Sequence, residues 1–560
     1  VSAGSVAVAS VACRETYDLT NAFTVASAMA SNTVDHERLD DYTVPTTADS
    51  IVLGASSIST NSSGVSIAGT VATISKAGTY RLTGTIADGQ VVVSTSDTAV
   101  VRLILDNASI TRLADAPVVI KKATRVAVIL ASGTTNRLTD GATYPAGVDQ
   151  NATLFSKVNL SIAGDGALVV KGNFEDGIAS KDGLVIRSGT ISVTAADDGI
   201  RGKDYLVVRG GSLTVNAGGD ALKSDEDGDA ALGYVLIAGG TLNLTAANDA
   251  VQGETDVLMT GGSLTAKTAN GSTTLINDTL SAKGLKASAL LVVDGGTVSL
   301  NTSDDGLHSN GRLVVNGGTF SISAADDGVH ADSALTVNGG TIDVTKSYEG
   351  LENAASDMFI NGGIIRLVSS DDALNVSGAG DTSPGQAAGA YTLRMTGGRV
   401  VVNSTGDGID VNGSIAMSGG CFIVHGPTAN NNAPLDYDGT FTMTGGFVIA
   451  AGSSGMAQAP GAASTIPSIL VTLSTARPAG TLLHVQSASG TSIVDFAPLK
   501  AYQSVVIASP LLAVGGSYAW YFGGSESGTA QDGLYTTGIY TPGSLYRSFT
   551  LSSIASRLTM

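Results

Sequence analysis

The sequence has little of what marks the commoner functional classes. Only 14% of its 560 residues are charged and only 5% are aromatic, with one tryptophan. Glu, Lys and Leu are too sparse for heptads, which excludes a coiled coil. Proline numbers 12 and glycine does not recur at every third position, which excludes collagen. Basic residues number 30 against 49 acidic ones, and a net charge of −19 supplies no basic patch to displace counterions from nucleic acid. No stretch of 18 apolar residues occurs, so no transmembrane helix is expected. The five histidines show no zinc spacing, and no phosphate loop, dinucleotide fingerprint or nucleophile elbow is present.

Cysteine is equally scarce. Cys13 and Cys421 are too few for a disulfide scaffold and pair only if the N-terminal arm folds back, so two free thiols are expected. Ser10-Val11-Ala12-Cys13 follows a small, apolar opening and resembles the end of a lipoprotein signal, in which Cys13 becomes a lipidated N-terminus.

What the chain does have is glycine, 71 residues of it, among Val, Thr and Ser. That mixture reads as many strands joined by tight turns. Gly-Gly pairs precede β-prone runs at Gly210-Gly211, Gly239-Gly240, Gly261-Gly262, Gly295-Gly296 and onward to Gly445-Gly446. A second marker is an acid followed by Gly or Ala and an aliphatic. It steps by 22 residues from Asp176 to Asp198 to Asp220, and again from Asp305 to Asp327 to Glu349. A period near 22 is too short for a propeller blade or a helical repeat. Runs such as Thr319-Phe320-Ser321-Ile322-Ser323 alternate as half-buried strands do. The expected fold is all-β, a right-handed parallel β-helix of about 22 residues per coil, stacked at about 4.8 Å. Residues 1–45 read as an irregular arm, 46–155 as the N-terminal cap and first coils, 156–455 as the regular solenoid. Residues 456–560 read as an antiparallel cap or small sandwich over the open sheet edge.

The period turns single residues into columns. The acidic column is Asp176, Asp198, Asp220, Asp249, Lys283, Asp305, Asp327, Glu349, Asp372, Asp407 and Ala433. The column three residues later contains Arg201, Lys223, Lys286, His308, His330, Glu352, Asn375, Asp410 and Asp436. Charges about 4.8 Å apart repel by roughly 1 kcal/mol in water and 3–4 at an effective dielectric of 20, so stacked carboxylates need protons, cationic side chains or metal ions. Arg201, Lys223 and Lys286 can neutralise the early coils, whereas Glu352, Asn375, Asp410 and Asp436 cannot neutralise the later ones. Oxygen-only clusters suit Ca²⁺. The first choice of calcium ligands is therefore Asp304, Asp305, Asp326, Asp327, Glu349, Glu352, Asp371, Asp372, Asp407 and Asp410. The second is Asp197, Asp198, Asp220, Asp225 and Asp227, the last two in an acidic Gly-rich loop. Against this stands the plain reading that each Asp caps its own Asp-Gly turn. His308 and His330 read as partners of Asp rather than as metal ligands.

Repeats such as Ser303-Asp304-Asp305-Gly306-Leu307-His308, Lys346-Ser347-Tyr348-Glu349-Gly350-Leu351-Glu352 and Ala450-Ala451-Gly452-Ser453-Ser454-Gly455-Met456 resemble those of bacterial carbohydrate-binding-domain β-helix proteins, similar in shape to pectate lyases. The resemblance spans most of residues 46–540. It implies an extracellular or cell-surface protein that binds cellulose or acidic pectin-type polysaccharide, with calcium on the acidic ladders. Lys283 and Ala433 interrupt the column and put calcium there in doubt. The candidate glycan contacts are Arg201, Lys223, Lys286, His308, His330 and Tyr348. No catalytic set is assigned. One alternative is a self-assembling filament or surface-layer subunit, with Val6-Ala7-Val8-Ala9 adding a strand to a neighbour. The other is a calcium-dependent lyase with Arg201, Lys223 or Lys286 as base.

Overall fold

The computed structural model describes residues 22–45, 47–277, 279–377 and 389–559. Val6–Ala9, Cys13 and the loop around Ser383-Pro384-Gly385 lie outside them. The chain divides into two compact units, 23–310 and 311–560 with 1–22, and each is a parallel β-helix.

In the unit 23–310 a typical coil has three short strands, Tyr205–Val208, Ser212–Ala217 and Leu222–Ser224. Each pairs in parallel and in register with its equivalent in the next coil: Leu206 with Val235, Leu213 with Leu242, Leu222 with Val251. Alternation sends Leu213, Val215 and Ala217 inward and Ser212, Thr214 and Asn216 outward. The inward aliphatics stack into columns that are almost wholly buried, each contributing roughly 1.5–3 kcal/mol. The second glycine of each Gly-Gly pair makes the corner. Gly240 sits at φ +96, and a Cβ there would lie 2.9 Å from the Gly211 carbonyl oxygen one coil below. Only glycine satisfies both the left-handed backbone and the stacking distance.

The arm is not wholly irregular. It forms a short helix, Val25–Met29, capped by Thr24, and a 3₁₀ turn, His36–Leu39. It runs back along the strands toward the start of the chain. Asn32 donates to Asp256, Asp35 and Glu37 pair with Arg209, and Asp40 pairs with Arg125. The acids Asp35, Glu37 and Asp40 of the arm are thus held by arginines of the coils.

In the unit 311–560 the coils continue from Arg312–Val315 to Phe447–Gly452. The last strand pairs antiparallel with Tyr502–Ala508, which pairs antiparallel with Ser468–Arg477. This is the expected cap. A six-stranded antiparallel sheet follows, centred on the fully buried Trp520 and Phe496. It is clamped to the coils by Asp532, which takes ion pairs from Arg366 and Arg399.

One expectation fails. Cys421 is disulfide-bonded rather than a free thiol. It is fully buried at the head of the strand Cys421–His425, and the one other cysteine of the sequence, Cys13, lies outside the described residues.

Candidate functional site

The acidic column forms as read from the sequence, and its carboxylates cap coils rather than their own turns. In the unit 23–310, Asp198 Oδ1 accepts from the backbone N–H of Asp220 at 2.9 Å. Asp220 Oδ1 accepts from Asp249 at 2.9 Å, and Asp249 Oδ1 from Lys283 at 2.7 Å. The same link recurs in the unit 311–560, from Asp327 to Glu349 N at 3.2 Å, from Asp372 to Asp407 N at 2.5 Å, and from Asp407 to Ala433 N. The plain turn reading is corrected accordingly. Asp198, Asp220, Asp249, Asp327, Asp372 and Asp407 each satisfy a donor of the following coil, and the second oxygen is left for other partners.

In the unit 23–310 those partners are cations. Arg201 bridges Asp176 at 2.8 Å and Asp225 at 2.9 Å. Lys223 bridges Asp198 at 3.3 Å and Asp220 at 2.7 Å, and Lys286 lies 3.5 Å from Asp249. Asp198, Asp220 and Asp225, second-choice calcium ligands, therefore already have cationic partners. Lys283, which seemed only to interrupt the column, reaches Asp304 at 2.6 Å and Asp305 at 3.0 Å. Two first-choice ligands are thereby neutralised by a residue whose role the sequence signalled only as a Lys within an acidic column. His308 Nδ1 lies 2.8 Å from Asp305 Oδ2, as expected of an Asp partner. Asp197 and Asp227 have no side-chain partner among the described residues.

In the unit 311–560 the balance reverses, and two clusters stand out. In the first, His330 Nδ1 lies 3.0 Å from Asp327 and 2.5 Å from Glu352, with Nε2 2.9 Å from Asp332. Beside it the Glu349 carboxyl is pushed up to about 9, by burial first and then by the charges of Asp327 and Glu352. Asn375 Nδ2 donates to both Glu349 oxygens, while the buried Asn375 Oδ1 has no hydrogen-bond partner among the described residues. In the second cluster Asp372, Asp407 and Asp410 bring one oxygen each to within 4.8 Å of one another. Burial, followed by neighbouring carboxylates, raises Asp410 to about 8; burial does the same to Asp407, to about 7, and to Asp372, to about 6. No Lys, Arg or His pairs with any of the three among the described residues. Asp436, one coil on from Asp410 in register, adds another carboxylate and is held by Gln458. Asp371 accepts from the exposed Tyr348 hydroxyl, and Asp326 borders Asp327.

Three carboxylates without a counter-charge, next to an unpartnered amide oxygen, form a hard-oxygen donor set. That chemistry fits Ca²⁺, which takes six to eight oxygens and tolerates irregular geometry. Asn375 was absent from the ligand set read from the sequence. Its column position between Glu352 and Asp410 is the signal that would have found it.

A family model described as carbohydrate-binding domain-containing protein matches residues 68–328. A carbohydrate-binding domain-containing protein of Acetivibrio thermocellus is 37% identical over 139 residues, 24% of this chain and 49% of that protein. The chain thus spans about half the length of the curated relative it matches. A solved structure described as the polysaccharide lyase-like protein from C. thermocellum, gadolinium derivative, is 32% identical. The alignment covers 40% of this chain and 92% of that one, with a TM-score of 0.39.

Proposed function

Because residues 68–328 match the carbohydrate-binding domain-containing family, we propose that the chain is an extracellular, calcium-dependent polysaccharide-binding protein and not an enzyme. Its proposed ligands are acidic pectin-type glycans or cellulose. Asp372, Asp407 and Asp410 would hold one calcium ion, and Glu349, Glu352 and Asn375 offer oxygens for another. Bound calcium would supply open coordination positions for uronate carboxylates and sugar hydroxyls. The protein's own residues fix the carboxylates, since Asp372 and Asp407 are each anchored by a backbone N–H of the next coil. Tyr348, 48% exposed beside Asp371, is placed to meet a sugar. The observation that carries this reading is the Asp372–Asp407–Asp410 cluster, which has no ion pair with a cationic side chain among the described residues. The Cys421 disulfide suits an oxidising, extracellular compartment.

The lyase alternative is disfavoured by the state of its bases. Burial works to lower the Lys223 pKa, but the charges of Asp220 and Asp198 outweigh it and raise the pKa overall. Arg201 is raised in the same way by Asp176 and Asp225. A base held protonated by two carboxylates cannot abstract a sugar proton.

The test is binding of polygalacturonate to the whole chain with calcium and with excess chelator. Loss of most binding in chelator, and its loss in an Asp407→Asn/Asp410→Asn variant, is the expected result. Total binding that neither chelator nor this variant reduces would overturn the calcium bridge.

A further inference from the structure

The unit 23–310 has a second surface that the calcium reading does not use. Its coils have three outward sides. One lies under the arm, where Glu37 meets Arg187 and Arg209 and where Tyr205 and Tyr234 are buried. Another carries the Asp176–Asp198–Asp220–Asp249 column with its cations. The third is built by the strands from Thr135–Thr139 to Thr297–Thr302, and nothing among the described residues of this unit covers it. Each of its strands presents alternate residues outward, for example Thr190, Ser192 and Thr194, or Thr241, Asn243 and Thr245. In-register pairing lines these up as straight columns of hydroxyls and amides.

The charge on this side is opposite to that of the chain. In a protein with 49 acids and 30 bases, none of the outward positions of these strands is an acid. Three are cations: Arg137, Lys171 and Lys267. All three are exposed and none has an ion-pair partner among the described residues. Elsewhere in the same unit Arg81, Arg102, Arg112, Arg125, Arg187 and Arg209 each have an acid. The exposed carboxylates of Asp165 and Asp197 sit in the turns that flank the side rather than on it. No aromatic residue lies on it, so a sugar ring has nothing to stack on. Hydrogen bonds from hydroxyls to a neutral glycan mostly exchange with water for little net gain, whereas bonds to an ionised group are roughly twice as strong.

We propose that this side of the unit 23–310 is a calcium-independent binding surface for a linear anionic glycan, with Arg137, Lys171 and Lys267 meeting its carboxylates and the Ser/Thr/Asn columns meeting its hydroxyls. The inference rests on the polysaccharide-binding reading but not on its calcium sites. Lys171 and Lys267 stand in one column, four strands apart through Thr194, Asn216 and Thr245. At about 4.8 Å per strand that is roughly 19 Å, so a ligand must be several sugars long to reach both. Each exposed charge contact is weak by itself, and binding therefore grows with chain length and weakens with salt.

The experiment measures binding of the whole chain to galacturonate oligomers of increasing length and to polygalacturonate, all in excess chelator, at low and high salt. The expected result is chelator-resistant binding that strengthens with length. An Arg137→Glu/Lys171→Glu/Lys267→Glu variant weakens it at least tenfold, and 0.5 M NaCl weakens it strongly. Circular dichroism and an unchanged melting temperature show that the variant, altered only at exposed positions, remains folded. An Asp407→Asn/Asp410→Asn variant leaves the chelator-resistant part intact, so the two readings fail separately. Absence of chelator-resistant binding, or full binding by the triple variant, would overturn the inference, as would equal binding of a neutral glucan of the same length.

Discussion

Replacing Asp410 with Asn removes one charge from the uncompensated cluster and keeps the side chain's shape. In the metal-free fold, burial and the charges of Asp372 and Asp407 raise the Asp410 carboxyl to about 8 from an ordinary 3.8. The folded state therefore keeps a proton that the unfolded chain has already released. Stability falls as pH rises from about 4 to 8, because the native state binds more protons across that window. If Asp410 alone carried the repulsion, ionising it would cost on the order of 5 kcal/mol, at roughly 1.4 kcal/mol per tenfold change in proton affinity. The repulsion is shared with Asp372 and Asp407, so removing one charge relieves a part of it, about 2–3 kcal/mol at pH 8. For a unit of this size that is roughly 5–10 °C in melting temperature. Calcium should do the same for the wild type by mass action, about 2.7 kcal/mol at a hundred times its dissociation constant. The assay is scanning calorimetry at pH 5 and pH 8, with chelator and with calcium. Asp410→Asn should melt higher than wild type at pH 8 in chelator, match it near pH 4–5, and lose most of the calcium-dependent gain. A variant that melts lower at pH 8 in chelator, or that keeps the full calcium gain, refutes the reasoning.

Lys223→Met leaves Asp198 and Asp220 without their shared cation. It should destabilise the unit 23–310 by about 2 kcal/mol at pH 8 and much less at pH 5, read as the difference between two melting curves. Gly240→Ala places a methyl group 2.9 Å from a carbonyl oxygen at a positive φ; a loss of roughly 1–3 kcal/mol is expected in denaturant titration. Phe496→Ala opens a void in the core cluster that holds the chain's one tryptophan, Trp520. Its emission should shift to the red at lower denaturant, for a loss of about 3–5 kcal/mol. Incubation with polygalacturonate and calcium across alkaline pH should yield no unsaturated product absorbing in the ultraviolet.

The fold was legible because a 22-residue period is a statement about register. Once Asp176, Asp198 and Asp220 fall into one column, the strands that carry Leu213 and Leu242 must stack. The division of the ladder into a neutralised part and an uncompensated part was legible for the same reason, from Arg201 and Lys223 against Asp410 and Asp436. Lys283 was harder to interpret. Its position announces a break in the column, while its long side chain instead turns forward to Asp304 and Asp305. The capping role of each Asp was hidden because it depends on which backbone N–H faces it from the next coil. The arm's docking was beyond sequence reasoning: Asp35 to Arg209 is a contact across 174 residues that no local pattern encodes. The Cys421 disulfide was open to the sequence only as a pairing that required the N-terminal arm to fold back.

The central claim is that carboxylates of the later coils hold calcium that meets an acidic glycan. Calcium titration calorimetry of the wild-type chain, with and without saturating polygalacturonate, tests it most directly. If calcium bridges protein and glycan, the glycan must tighten calcium binding by the same factor by which calcium tightens glycan binding. Asp407→Asn/Asp410→Asn must remove one calcium ion from the stoichiometry and that ion's share of both effects. A calcium affinity that polygalacturonate leaves unchanged, or a calcium stoichiometry that the double variant leaves unchanged, would contradict the account.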